Sequence, residues 1–157
     1  MAILSKMAGA MSVAMVILAF GAPATADDSF LKDCVWDRCR FRENKLMGTY
    51  CNNNNKAEYD YDWAQIDLGR CLGNNGGELV ASENGEFYKS CDDCDVTNKH
   101  KDGTQYLVCN CWGTDDKKHE SKFDLAEVLY NRDGKMGCFD HLGDKFDRPP
   151  PYWKDGN

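Results

Sequence analysis

Two short stretches decide the reading of this chain: Phe30-Leu31-Lys32-Asp33-Cys34 and Phe87-Tyr88-Lys89-Ser90-Cys91. Sliding the sequence along itself by 57 residues lays the first on the second. The same offset lays Asp67-Leu68 on Asp124-Leu125, Leu72 on Leu129, Asn74 on Asn131 and Gly77 on Gly134. In both halves the first cysteine stands 33 residues before Asp-Leu and 43 before that glycine. Matches that fall together on cysteine, glycine, asparagine and apolar positions mark a tandem duplication, with repeats over about residues 29–85 and 86–141.

Both halves share one grammar. An aromatic residue precedes the first cysteine by four positions. A run then ends in a second cysteine: Leu46-Met47-Gly48-Thr49-Tyr50-Cys51, and Tyr106-Leu107-Val108-Cys109-Asn110-Cys111. These runs are short, partly alternating and flanked by turn formers, which predicts strands. Asp67 and Asp124 are placed to cap one helical turn, with Leu68 and Leu72, and Leu125 and Leu129, on a shared face. Asn74-Asn75-Gly76-Gly77 and Asn131-Arg132-Asp133-Gly134 predict hairpin turns, because φ > 0 at the turn centre favours Asn, Asp and Gly. Each half therefore reads as strand, strand, short helical turn, hairpin. Half a chain of this size makes a poor independent core, so the halves are expected to complete each other in one all-β domain over residues 27–141.

The flanks read differently. Residues 1–26 carry one charge, Lys6, an apolar run over residues 7–20 and the small-x-small pattern Ala24-Thr25-Ala26, which is a secretory signal peptide cut before Asp27. The chain is thus expected outside the cell. Residues 142–157 match neither repeat and hold Pro149-Pro150-Pro151, which predicts a flexible tail; the alternative is that Tyr152-Trp153 tack it to the surface. The net charge of −7 excludes the basic face of a nucleic-acid binder. No stretch beyond the leader is apolar enough to span a membrane. There is no Asn-x-Ser/Thr acceptor for N-glycosylation. The three histidines lie in polar stretches without a catalytic motif, so no enzyme and no cofactor is expected.

All nine cysteines follow the leader, and in an exported chain that density means disulfides. An odd count leaves one outside any intrachain pair and leaves open a covalent dimer. Cys91-x-x-Cys94 with Cys109-x-Cys111 has a rival reading as a zinc site, but Cys-x-Cys is a poor knuckle and export favours disulfides, so no metal is expected.

The ordered set, an early cysteine, a second cysteine, an Asp-Leu segment and a closing Asn-x-x-Gly hairpin, given twice, resembles the cyanovirin-N homology domain. The resemblance implies a pseudo-symmetric fold in which each repeat builds half of the other, stapled by disulfides. It implies a lectin that binds mannose-rich oligosaccharides or glycoproteins, of a kind known among secreted fungal proteins. It pairs Cys34 with Cys51 and Cys91 with Cys111. Cys94 and Cys109 are then placed to bridge the same hairpin beside Cys91 and Cys111, while Cys39, Cys71 and Cys138 stay unassigned. Exchange of repeats between chains is a further route to a dimer.

The resemblance also places two sugar sites, one near each end. The first takes Lys32, Asp33, Asn52, Asn53, Asn54, Asn131, Arg132 and Asp133. The second takes Asn74, Asn75, Lys89, Ser90, Trp112, Gly113 and Thr114. The second is expected to be weaker, since Gly76 stands where the first has the Asp133 carboxylate. Bland readings stand beside these: Asn52, Asn53 and Asn54 as a solvated loop, Trp112 as a strand-end core residue, and Asn74 and Asn131 as turn formers. The segment from Cys51 to Asp67 is three residues longer than that from Cys111 to Asp124, which predicts a reshaped first site. The rival function is a secreted effector or surface protein that kept the scaffold, lost sugar binding and acts through protein contacts.

Overall fold

The structure is a computed structural model that describes residues 29–54, 61–97 and 104–153. The leader lies outside these residues. The first repeat runs from helix α1 (Ser29–Asp33) through β1 (Arg40–Arg42), β2 (Leu46–Asn52), β3 (Tyr61–Asp67), β4 (Leu72–Asn75) and β5 (Glu78–Ala81). The second runs from a 3-10 turn (Phe87–Lys89) through β6 (Cys91–Val96), β7 (Tyr106–Trp112), β8 (Lys118–Asp124), β9 (Tyr130–Arg132) and β10 (Lys135–Cys138). Two further strands follow, β11 (His141–Leu142) and β12 (Asp144–Phe146).

The predicted grammar is present in both halves. In β7 the inward positions Leu107, Cys109 and Cys111 are buried and alternate with Tyr106, Val108, Asn110 and Trp112, as the pleat requires. After β3 and β8 the chain makes a 3-10 turn, and its cap is the expected aspartate. Asp67 accepts from the Gly69 amide at 2.8 Å, and Asp124 from the Ala126 amide at 2.9 Å. Leu68, Leu72, Leu125 and Leu129 are fully buried beneath these turns. Gly76-Gly77 and Asp133-Gly134 are two-residue hairpin turns with both residues at positive φ. Both openings are helical turns that sink Phe30 and Phe87 completely.

The repeats complete each other. The β4–β5 hairpin of the first lies along β7 and β8 of the second, where the Leu79 amide donates to Ser121 Oγ at 2.8 Å. The β9–β10 hairpin of the second packs on β3 and α1 of the first. One continuous core results, with Phe30, Met47 and Leu72 from one repeat against Phe87, Leu107 and Met136 from the other.

Four disulfides close the fold. Cys34–Cys51 and Cys91–Cys111 occupy matching places, and Cys94–Cys109 shares the β6–β7 ladder with the latter. These bonds replace the zinc reading of the same cysteines. Cys71–Cys138, which the sequence left unassigned, joins the two repeats across 67 residues. Cys39 is the cysteine outside these pairs. It is 4% exposed, and burial first, then Asp37, push its thiol up to about 12 against a hydrogen bond from Thr49 that lowers it. A covalent dimer through Cys39 would therefore need a buried, protonated thiol to surface.

The tail corrects the sequence reading. Its described part, up to Trp153, is docked: it adds β12 to the edge of a four-stranded antiparallel sheet, order β1-β2-β3-β12. It then turns at Pro151–Trp153 and buries Trp153 completely. The physical cause is an apolar edge: Trp63, Ala64 and Ile66 of β3 are buried and need cover.

Two outcomes check the staples. Replacing Cys71 and Cys138 together with alanine is expected to cost about 4 kcal/mol in urea unfolding, from the loop the bond closes; a cost below about 1 kcal/mol would show that packing alone joins the repeats. Native protein is expected to leave Cys39 unlabelled by a maleimide, and urea-unfolded protein to label it once.

Candidate functional site

The two ends of the duplicated fold are built alike, each from both repeats. At the first end the Asn131 side chain accepts from the Gly134 amide at 3.1 Å and donates to the Asn52 carbonyl at 2.9 Å. At the second, Asn74 accepts from the Gly77 amide at 2.8 Å and donates to the Trp112 carbonyl at 2.9 Å and to Ser90 Oγ at 3.0 Å. Asn52 and Trp112 each directly follow the second cysteine of their repeat. One asparagine thus makes the turn and ties it across the repeat boundary. Turn chemistry is part of the role of both, and Asn131, at 9% exposure, faces the protein.

The first end gathers most of its predicted residues. Asn54 Nδ2 donates to Asp133 Oδ1 at 2.9 Å across 79 residues of sequence. Asn52 Oδ1 accepts from the Asn54 amide at 2.7 Å, which fixes the loop carrying both. Asn53 Nδ2 reaches Asp62 Oδ2 at 3.3 Å. Arg132 is exposed, its guanidinium 5.2 Å from the Tyr130 ring centre. Helix α1, which carries Lys32 and Asp33, packs on β9 beside them. Asp133 sits at φ 53, a left-handed turn position that an aspartate tolerates. The part of the long loop over residues 55–60 lies outside the described residues, and with it the expectation of a reshaped site.

The second end is chemically different. Gly76 leaves no carboxylate at the tip. Trp112 is 48% exposed, so it is a surface residue and not core; Lys118 Nζ stands 5.3 Å from its ring centre. Asn75 is exposed at the hairpin end, and Thr114 approaches Gly76. Lys89 is tied to Glu86, a hydrogen bond that raises the lysine pKa and lowers that of the glutamate.

Two residues escaped the sequence reading. Gly134 packs against Asn53 and Asp62, whereas Gly77 packs against Gly113 and His119. Asp62 and His119 stand one 57-residue offset apart, but an acid opposite a histidine is no match, so nothing in the sequence marks them. His119 Nε2 meets Asp115 Oδ1 at 2.8 Å.

A duplicated, cross-completed all-β scaffold with two homologous but chemically unequal ends is the class that this geometry defines. Comparison with known proteins gives the family: the CVNH domain model matches residues 30–146, and the chain belongs to that family. The fold is that of the CVNH protein of Gibberella zeae, at 19% identity and TM-score 0.61 over 72% of this chain and 99% of the other. A MoCVNH3 variant solved with (N-GlcNAc)4 aligns at 15% identity and TM-score 0.60, covering 75% of this chain and 99% of its own. Microvirin, solved with mannobiose, aligns at 19% and TM-score 0.57, covering 70% and 97%. No curated protein matches the chain significantly.

The His119–Asp115 contact predicts a pH response. The hydrogen bond from His119 is the first cause holding the Asp115 pKa below 3.8. The contact therefore contributes above that pH and is lost as pH falls through the lower folded value. The Asp115 carboxyl ¹³C shift is expected to titrate with a midpoint below 3.8; a midpoint at or above it would remove the contact from the solution structure.

Proposed function

We propose that this protein is a secreted lectin that binds mannose-rich oligosaccharides and performs no chemistry on them. The observation that carries the reading is the exposed Asn54–Asp133 pair, held across the repeats by the Asn131 tie. Sugars present adjacent hydroxyls that donate and accept at once, and amide and carboxylate groups in fixed relation match them. Family membership supports the carbohydrate class, as do the ligands of Microvirin and the MoCVNH3 variant. Four disulfides and the leader-like residues 1–26 support export.

The first end is the stronger site in this reading, because Asp133 supplies an acceptor that Gly76 lacks. The second end offers Trp112 as a flat platform for the apolar face of a sugar ring.

The test is a ¹H–¹⁵N titration of the oxidised protein with α1,2-linked mannobiose, then with a GlcNAc tetramer. Shifts are expected with mannobiose at Asn53, Asn54, Arg132 and Asp133. Asp133→Gly keeps a residue suited to the turn and is expected to weaken binding at that end at least about tenfold. No shift with any glycan would overturn the lectin reading in favour of a scaffold that works through protein contacts. Shifts with the GlcNAc tetramer alone would overturn mannose as the ligand.

A further inference from the structure

We propose that the C-terminal segment beyond the repeats is a positioning element for the first end, and that Lys145 is the residue through which it acts. The glycan half of this inference rests on the function proposed above; the structural half does not.

Lys145 lies on β12, in register with Ala64 of β3. Its ammonium donates to the Asp133 carbonyl at 3.1 Å and pairs with Asp62 Oδ2 at 3.0 Å. The same Asp62 oxygen accepts from Asn53, and Gly134 of the hairpin tip packs against both. One cation therefore joins the loop after β2, the start of β3 and the tip of the β9–β10 hairpin. Those elements carry Asn53, Asn54, Arg132 and Asp133. The side chain of Asp62 is only 14% exposed, so removing this partner would leave a largely buried carboxylate without its counter-charge.

The segment is anchored beyond Lys145. Trp153 Nε1 and the Tyr152 hydroxyl both donate to Gln65 Oε1, at 2.8 and 2.9 Å. Trp153 packs edge-on against Trp63, with ring centres 5.4 Å apart. Arg40 donates to the Trp153 carbonyl. Gly48 makes room, since a Cβ there would lie 2.6 Å from the Trp63 ring. With β12 laddered to β3 and Trp153 buried, Lys145 is held where it stands.

The second end has no such element among the described residues. After the first repeat the chain turns at once into Phe87–Lys89, the opening of the second. His119 takes the place of Asp62 and pairs with its own neighbour Asp115.

The experiment compares Lys145→Met, which keeps the length and removes the charge, with Lys145→Arg, which keeps the charge. Without ligand, Lys145→Met is expected to shift the amides of Asn53, Asn54, Asp133 and Gly134 and speed their hydrogen exchange, while Gly76, Gly77 and Gly113 stay as in the wild type. With mannobiose, affinity at the first end is expected to fall about tenfold, with the second end unchanged and Lys145→Arg restoring most of the loss. Unaltered amides in ligand-free Lys145→Met would overturn the proposal whatever the sugar result. Loosened amides with undiminished binding would overturn its functional half. Loosened amides in a protein whose wild type binds no glycan would uphold the positioning role and reject the lectin reading instead.

Discussion

Two asparagine side chains carry the arrangement on which the rest of this structure depends. Asn74 and Asn131 each accept from a hairpin glycine and donate to a carbonyl of the opposite repeat. Only an amide side chain of this length does both. An aspartate has no donor for the foreign carbonyl, and a serine does not reach it. The tight turn and the exchange of hairpins are therefore one event. Breaking the tie would leave the part-buried Asn52 carbonyl without its partner, a cost of about 1–3 kcal/mol, and less at the second end, where the Asn74–Trp112 bond is exposed.

From that exchange follows the shared core. Neither repeat can bury Phe30 or Phe87 alone, since each hairpin that covers the sheets comes from the other half. Three of the disulfides then act inside a sheet and its flank, and Cys71–Cys138 alone joins the halves covalently. That bond has no mirror: the 57-residue offset puts Val128 and Ala81 where its partner bridge would be. Symmetry of the backbone is thus compatible with asymmetry in the staples.

What could be read in the sequence was whatever the duplication wrote twice. The capping aspartates, the buried leucines, the hairpin glycines and the matched cysteine pairs all occur in two copies, and all stand where the repeat pattern puts them. Features written once were hard to see. Cys71 and Cys138 sit at unmatched positions, and no local pattern pairs residues 67 apart. The docking of Trp153 depends on Trp63, Gln65 and Gly48, none of which signals a long-range partner by itself. At the ends, Asn54 and Asp133 were legible through the resemblance. Asp62 and Lys145 were not, because one lies in β3 and the other in a segment with no repeat counterpart. Trp112 was ambiguous because the end of a strand borders both core and solvent.

One difference between the two ends originates in the sheet edges. β3 and β8 are equivalent last strands of their repeats' sheets, but β8 is an edge while β3 is paired on both sides, by β2 and β12; an edge strand exposes unpaired backbone that invites association. β8 reads Lys118-His119-Glu120-Ser121-Lys122 and blunts its edge with charge. β3 reads Tyr61-Asp62-Trp63-Ala64-Gln65, too apolar to be left bare. After the first repeat the chain is committed to building the second and cannot supply a cover. After the second it is free to run on, and β12 covers the strand that needs it. Covering β3 brings a lysine to the first end and none to the second. The Lys145 tie at the first end thus descends from the order of the repeats along the chain, and adds to the difference that Asp133 and Gly76 make at the hairpin tips.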